Sequence, residues 1–281
     1  MFNFFANLFG YILNAIYGVV NNYGLAIIIF TVVLKTVMLP ISIKQQKVMK
    51  KNAVIQEKAR EIQEKYNNDP QRQSQELMDL YKNENMSPFS GCLSSIVQLI
   101  IVLSVFYLVS SPLTYMRNID AELINDYAVK VEEELGEKTR YREIAVIKRF
   151  ANEDERVKLN MDFLGLDLSD VPSQNYTDWK VFVIPVLYVV TSIISTKITT
   201  FMNKKNEEKD ENTKENKKNE DEDMAAINDL NKQMMIMMPI MSVSISLIAP
   251  LGLALYWLVS NILMIGERLI LNKFFKEKEE E

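Results

Sequence analysis

The chain has 281 residues, a net charge of −5, about a quarter charged side chains and a mean hydropathy near zero. That average conceals five apolar runs of roughly 16–23 residues between strongly polar stretches, the pattern of a polytopic helical membrane protein rather than a soluble α-domain. One cysteine excludes an intramolecular disulfide framework, and the lack of histidine removes HExxH metalloprotease chemistry, Ser-His and Cys-His catalysis and histidine proton relays together. No GxxxxGK[ST] loop occurs, so work driven by the chain's own nucleotide hydrolysis is not expected.

Residues 1–22 are apolar but lack a basic leading region and a cleavage site, so they are expected to stay attached. Asn3, Asn7, Gly10, Asn14, Gly18 and Asn21 recur every three or four residues and draw a weakly polar stripe down a Phe- and Ile-rich helix. That stripe favours a helix lying in the membrane interface over a sixth span.

The first span, residues 23–43, carries Lys35 inside a run long enough to cross a bilayer. A lone ammonium there costs about 2.5–3.5 kcal/mol on insertion scales, which makes Lys35 a functional-site candidate by default. Thr31, Lys35 and Ser42 share one face through steps of four and seven, and a polar stripe on a spanning helix points at protein or water. Lys44, Lys47, Lys50 and Lys51 follow Pro40 and mark this end as cytoplasmic. Searching the other apolar runs for an acidic partner finds only Glu267, beside Arg268, so the cation is expected to meet its anion transiently.

Residues 44–86 are polar yet periodic. Val48, Asn52, Ile55, Ala59, Ile62 and Tyr66 alternate steps of four and three, Asn67-Asn68-Asp69-Pro70 breaks the helix, and Ser74, Leu77 and Tyr81 resume the spacing. A cytoplasmic antiparallel helical hairpin is predicted. The second span, 91–111, returns outward with Ser94, Ser95 and Gln98 on one face, Gln98 at a depth comparable with Lys35; Cys92 reads as a packing residue.

Residues 112–178 form an extracytoplasmic segment with acidic clusters and no recognisable binding motif; short helices are expected there. The third span, 179–201, starts at the interface anchor Trp179, carries Pro185 as an expected kink, and gathers Thr191, Ser192, Ser195, Thr196, Thr199 and Thr200 in its inner half. Residues 202–231 are a low-complexity polyampholyte, expected to be a disordered cytoplasmic loop. The fourth span, 232–249, has Met234, Met235, Met237, Met238 and Met241 at its inner end, suited to varied apolar partners or to filling a bundle interior. The fifth, 251–272, presents Trp257, Ser260 and Asn261 on one face, and 273–281 is an acidic cytoplasmic tail.

GLAIIIFTVVLKTVMLPIS, QEKYNNDPQ, GCLSSIVQLI and PLGLALYWLVSN, in that order, resemble the YidC/Oxa1/Alb3 family of membrane protein insertases, in the small form of single-membrane bacteria. Lys35 stands where the family usually has arginine, keeping the charge but not the planar fork, and Ser94 stands where it usually has proline. The resemblance implies five spanning helices around a hydrophilic groove open to the cytoplasm, with Lys35, Thr31, Gln98 and Trp257 lining it. It implies a bacterial cell-membrane protein with its N-terminus outside or at the outer interface and its C-terminus cytoplasmic. Its partners would be nascent membrane proteins and the lipid bilayer, with the Sec translocon and ribosome as further candidates. The ribosome contact made through a long basic tail in some members does not carry over to KEKEEE. No cofactor, metal, catalytic residue or nucleic-acid motif is expected. A small transporter or channel would also use polar faces, but ion coupling normally needs a mid-span carboxylate. An intramembrane Ser/Lys hydrolase would need Ser42 nearer Lys35 than the roughly 10 Å that seven helical residues impose.

Overall fold

A computed structural model describes the backbone of residues 2–67, 69–84, 90–207, 241 and 243–280; within these, side chains are described except at 46, 49, 50, 52, 53, 56, 57, 90–98, 199–207 and 272–280. The helices are α1 (Phe2–Val20), α2 (Tyr23–Lys65), α3 (Pro70–Asn83), α4 (Ser90–Ser110), α5 (Pro112–Tyr115), α6 (Ala121–Leu135), α7 (Arg142–Phe150), α8 (Val183–Glu207) and α9 (Leu251–Glu280), with a 3-10 turn at Trp179–Phe182. Residues 243–248 are also helical. Among the described residues, four stretches are long and apolar enough to cross a membrane: Phe2–Val20, Tyr23–Gln45, Trp179–Ile198 and Leu251–Leu271. In α4 the described apolar part is Leu99–Ser110, the second half of a 21-residue helix.

The turn between α1 and α2 is fixed by its asparagines. Asn21 adopts the left-handed conformation (φ 47°), which asparagine tolerates better than most residues. Asn22 caps α2 by accepting from the Leu25 amide at 3.0 Å. The same turn is held against the 112–178 segment: the Asn22 side-chain amide donates to the Asp162 carbonyl, the Tyr23 amide to the Asn160 carbonyl, and the Asn160 amide to the Tyr17 hydroxyl at 2.8 Å.

α2 runs unbroken past residue 43, so the first span and the first arm of the polar segment are one helix of 43 residues with Pro40 inside it. α3 folds back along α2. Its N-cap is Asp69, Pro70 occupies the first turn where its missing N–H costs nothing, and Lys58 pairs with Glu84 at 2.7 Å across the two helices. Ile55 and Ala59 are buried in the seam.

Between α4 and α8 the chain builds a cap. α6 and α7 pack through Ile124, Ala128 and Val131 on one helix and Ile144, Ile147 and Phe150 on the other. A two-residue hairpin pairs strands β1 (Asp162–Phe163) and β2 (Leu166–Asp167), with Leu164 and Gly165 both at positive φ (54° and 77°) as its tight turn demands. The cap also holds the start of α9: the Leu251 amide donates to the Asp170 carbonyl and the Gly252 amide to the Leu168 carbonyl.

Pro185, expected to kink the third span, lies in the first turn of α8, where no intrahelical bond is lost. The expected loop at 202–231 and fourth span at 232–249 fall largely outside the described residues, as do Met234, Met235, Met237 and Met238.

Candidate functional site

Packing in the bundle is polarised along its length. At the capped end α1, α2, α4 and α9 share one core through Phe9, Leu13, Phe30, Val105, Leu108, Leu251, Leu253 and Leu255. Toward the other end burial among the described residues thins to isolated positions such as Ser195 on α8 and Leu271 on α9. On α2 no residue from Val32 to Gln45 is buried, on α9 none from Ile262 to Ile270, and on α4 none from Leu99 to Leu103. Lys35 sits four residues past Thr31, the last buried residue of the α2 span, and is itself half-buried. The cation therefore stands at the border between a tightly packed end and a more sparsely buried one.

Thr31 is fully buried, and its hydroxyl donates to the Ile27 carbonyl of its own helix at 2.6 Å. In this arrangement it is a packed, back-bonded side chain one turn above Lys35 rather than an open one. Trp257 on α9 is partly buried with its ring 6.1 Å from that of Tyr188 on α8. Gln98 is on α4, with its side chain outside the described residues.

One turn beyond Trp257, Asn261 is buried and donates to the hydroxyls of both Thr191 and Ser192 on α8, each at 3.1 Å. Thr191 in turn donates to the Tyr188 carbonyl and Thr196 to the Ser192 carbonyl. These hydroxyls hold two helices together, a common use of polar groups in apolar surroundings. The helix-pairing role of Asn261 was not assigned from sequence; its signal was an amide one turn after Trp257 in an otherwise apolar run.

α9 lies beside α2, and its residues Glu267 and Arg268 are close enough for both charges to act on Lys35. The acidic residue found alone in the apolar runs is thus on the helix adjoining the cation.

The cap carries a buried carboxyl group. Glu143 on α7 is 8% exposed and accepts from both the amide (3.0 Å) and the hydroxyl (2.6 Å) of Thr114, just beyond the end of α4. Burial pushes its carboxyl above the ordinary carboxylate range, and the Thr114 bonds only partly offset this. It falls at i, i+3, i+4, i+7 spacing with Val146, Ile147 and Phe150, the apolar face of α7, which is the signal that separates it from the surface acids around it.

Helices of spanning length, packed side by side and carrying a cation at mid-span, define a mostly helical polytopic membrane protein. The family model for the 60Kd inner membrane protein matches residues 15–279, and the chain belongs to that family, the YidC/Oxa1 family. Among curated proteins it is 36% identical over 119 residues to a membrane protein insertase YidC of Wigglesworthia glossinidia brevipalpis, covering 42% of this chain and 22% of that one. A YidC of Francisella tularensis subsp. novicida is 36% identical over 107 residues, 38% of this chain and 19% of its own length. The matched region spans about a fifth of each of these relatives.

Proposed function

We propose that this chain is a membrane protein insertase that works without nucleotide hydrolysis. Its bundle encloses a hydrophilic groove at the end opposite the cap, and Lys35 attracts the acidic leading or loop segment of a newly made membrane protein into it. The client's apolar helix then leaves along the lipid-facing side, driven by burial of its surface at about 25 cal/mol per Å². The protein's part is to lower the desolvation barrier for polar residues in transit. The observation that carries this reading is the position of Lys35, a cation where the buried core of α2 gives out, in a chain of this family.

In this reading the cap faces outward and the α2–α3 hairpin, with its basic residues Lys44, Lys47, Lys50 and Lys51, lies in the cytoplasm. α1 lies in the outer interface. In support, Tyr115 and Asn160 of the cap touch α1 at Asn3 and at Tyr17, near its two ends, through side-chain hydrogen bonds. A helix standing across the membrane would separate those two residues by about 21 Å of depth. Trp257 and Gln98 line the groove with Lys35, and Thr31 backs it. Nascent membrane proteins and lipid are the partners, with the Sec translocon and ribosome as further ones.

Cysteine accessibility tests the groove. In a Cys92→Ser background, cysteines at Met38 and Ser42 should react with a membrane-impermeant maleimide added from the cytoplasmic side, whereas cysteines at Ala26 and Leu108 should not. Equal labelling of Met38 and Ser42 from the outside would mean a through-pore and would overturn the insertase groove in favour of a channel.

A further inference from the structure

Glu267 is the only aspartate or glutamate in the four candidate spans, and the capture of acidic segments at Lys35 leaves it without a role. The register of two helices places it. α2 and α9 pack side by side and both run away from the cap, and at the capped end Gly252 lies against Tyr23 and Ile27. From that level Glu267 is fifteen residues on, and Lys35 is twelve residues past Tyr23 and eight past Ile27. At 1.5 Å per residue the two lie roughly 5–10 Å apart along the axis, near enough for their charges to interact without a direct ion pair. The charges of Glu267 and its neighbour Arg268 both act on Lys35. A carboxylate flanked by a second cation makes a weak, displaceable counter-ion rather than a locked one, since Arg268 competes for it and repels Lys35.

We propose that Glu267 is the resident anion of the Lys35 site: it faces the ammonium when no client is bound, and an entering segment must displace it. Glu267 therefore sets how acidic a segment must be to enter, favouring clients with several carboxylates over those with one. This rests on the capture reading above.

The test uses the full chain reconstituted in vesicles, with two single-span clients that carry one or three acidic residues in the leading segment. Glu267→Gln should raise the ratio of one-acid to three-acid insertion by about two- to five-fold, the range of a water-screened ion pair. In a Lys35→Ala background the same substitution should not alter that ratio, because the two residues act through each other. Glu267→Asp, which keeps the charge on a shorter stem, should raise the ratio less than glutamine does. An unaltered ratio with Lys35 present, an equal rise in both backgrounds, or an aspartate variant matching glutamine would overturn the proposal while leaving capture by Lys35 standing. Undiminished insertion of the three-acid client by Lys35→Ala alone would remove the capture reading itself, and this proposal with it.

Discussion

Gly10 of α1 runs so close to Tyr115 that a Cβ on it would lie 1.9 Å from the Tyr115 carbonyl oxygen and 2.6 Å from its carbonyl carbon. The obstacle is backbone, which cannot swing aside as a side-chain tip would. Gly10→Ala should therefore push α1 off the cap and destabilise the protein by about 1–3 kcal/mol, the usual range of overpacking. Gly18→Ala, on the same helix with nothing within 4 Å of the added Cβ, is the control. Thermal unfolding in detergent should show a lowered midpoint for the first and not for the second.

The Asn261 bonds to Thr191 and Ser192 should be worth about 0.6 kcal/mol and at most about 1.7, as such bonds are in membrane helices. Asn261→Leu should lose that much stability without loss of the fold, because Thr191 still has the Tyr188 carbonyl. Asn261→Leu in a Thr191→Ala, Ser192→Ala background should cost little more than the background alone; full additivity in a double-mutant cycle would refute the coupling.

Glu143 makes stability depend on pH. Because burial raises its folded-state value above the ordinary 4.5, the native state holds the proton more tightly than the unfolded chain does. This contribution is fully present below about pH 4.5 and is lost as pH rises through the raised folded value. Glu143→Gln, which removes the ionisation, should flatten the fall in stability across that window. Unfolding midpoints measured from pH 4 upward should converge at the acid end and separate as pH rises, with the variant the more stable.

The α2–α3 hairpin tests what is scaffold and what is machinery. α3 packs against α2 and is joined to it by the Lys58–Glu84 pair and by the Gln73 side-chain bond to the Gln63 carbonyl. Deleting residues 44–84 and bridging with a short flexible linker should leave the bundle assembled, with an unchanged unfolding midpoint, but abolish insertion in reconstituted vesicles. Loss of the folded bundle would make the hairpin a structural support.

Much of this architecture was legible because membrane sequences are strongly constrained. A cation inside an apolar run is rare enough that Lys35 declared itself, and the broken seam from Val48 to Tyr81 outlined two helices. What was hidden depended on register between helices. Glu267 was visible as a lone acid, but its placement beside α2 follows from Gly252 meeting Tyr23 and Ile27 across sequence positions more than two hundred residues apart. The hydroxyls of the third span read only as a cluster in its inner half, whereas Thr191 and Ser192 both receive the Asn261 amide, a pairing no single-helix periodicity reveals. Pro185 read as a kink because a proline's effect depends on its distance from the helix start, and that start lies at Val183 rather than at Trp179.

In the proposed function Lys35 acts by its charge on acidic client segments. In vitro insertion of one acidic-tailed client and its neutralised counterpart, by the native protein and by Lys35→Arg, Lys35→Ala and Lys35→Glu, measures this. Arginine keeps the cation and should retain insertion of both clients. Alanine should fail mainly on the acidic-tailed client, and glutamate should be worse than alanine there, since water only partly screens its repulsion. An inactive arginine variant, or equal loss on both clients with alanine, would contradict electrostatic capture.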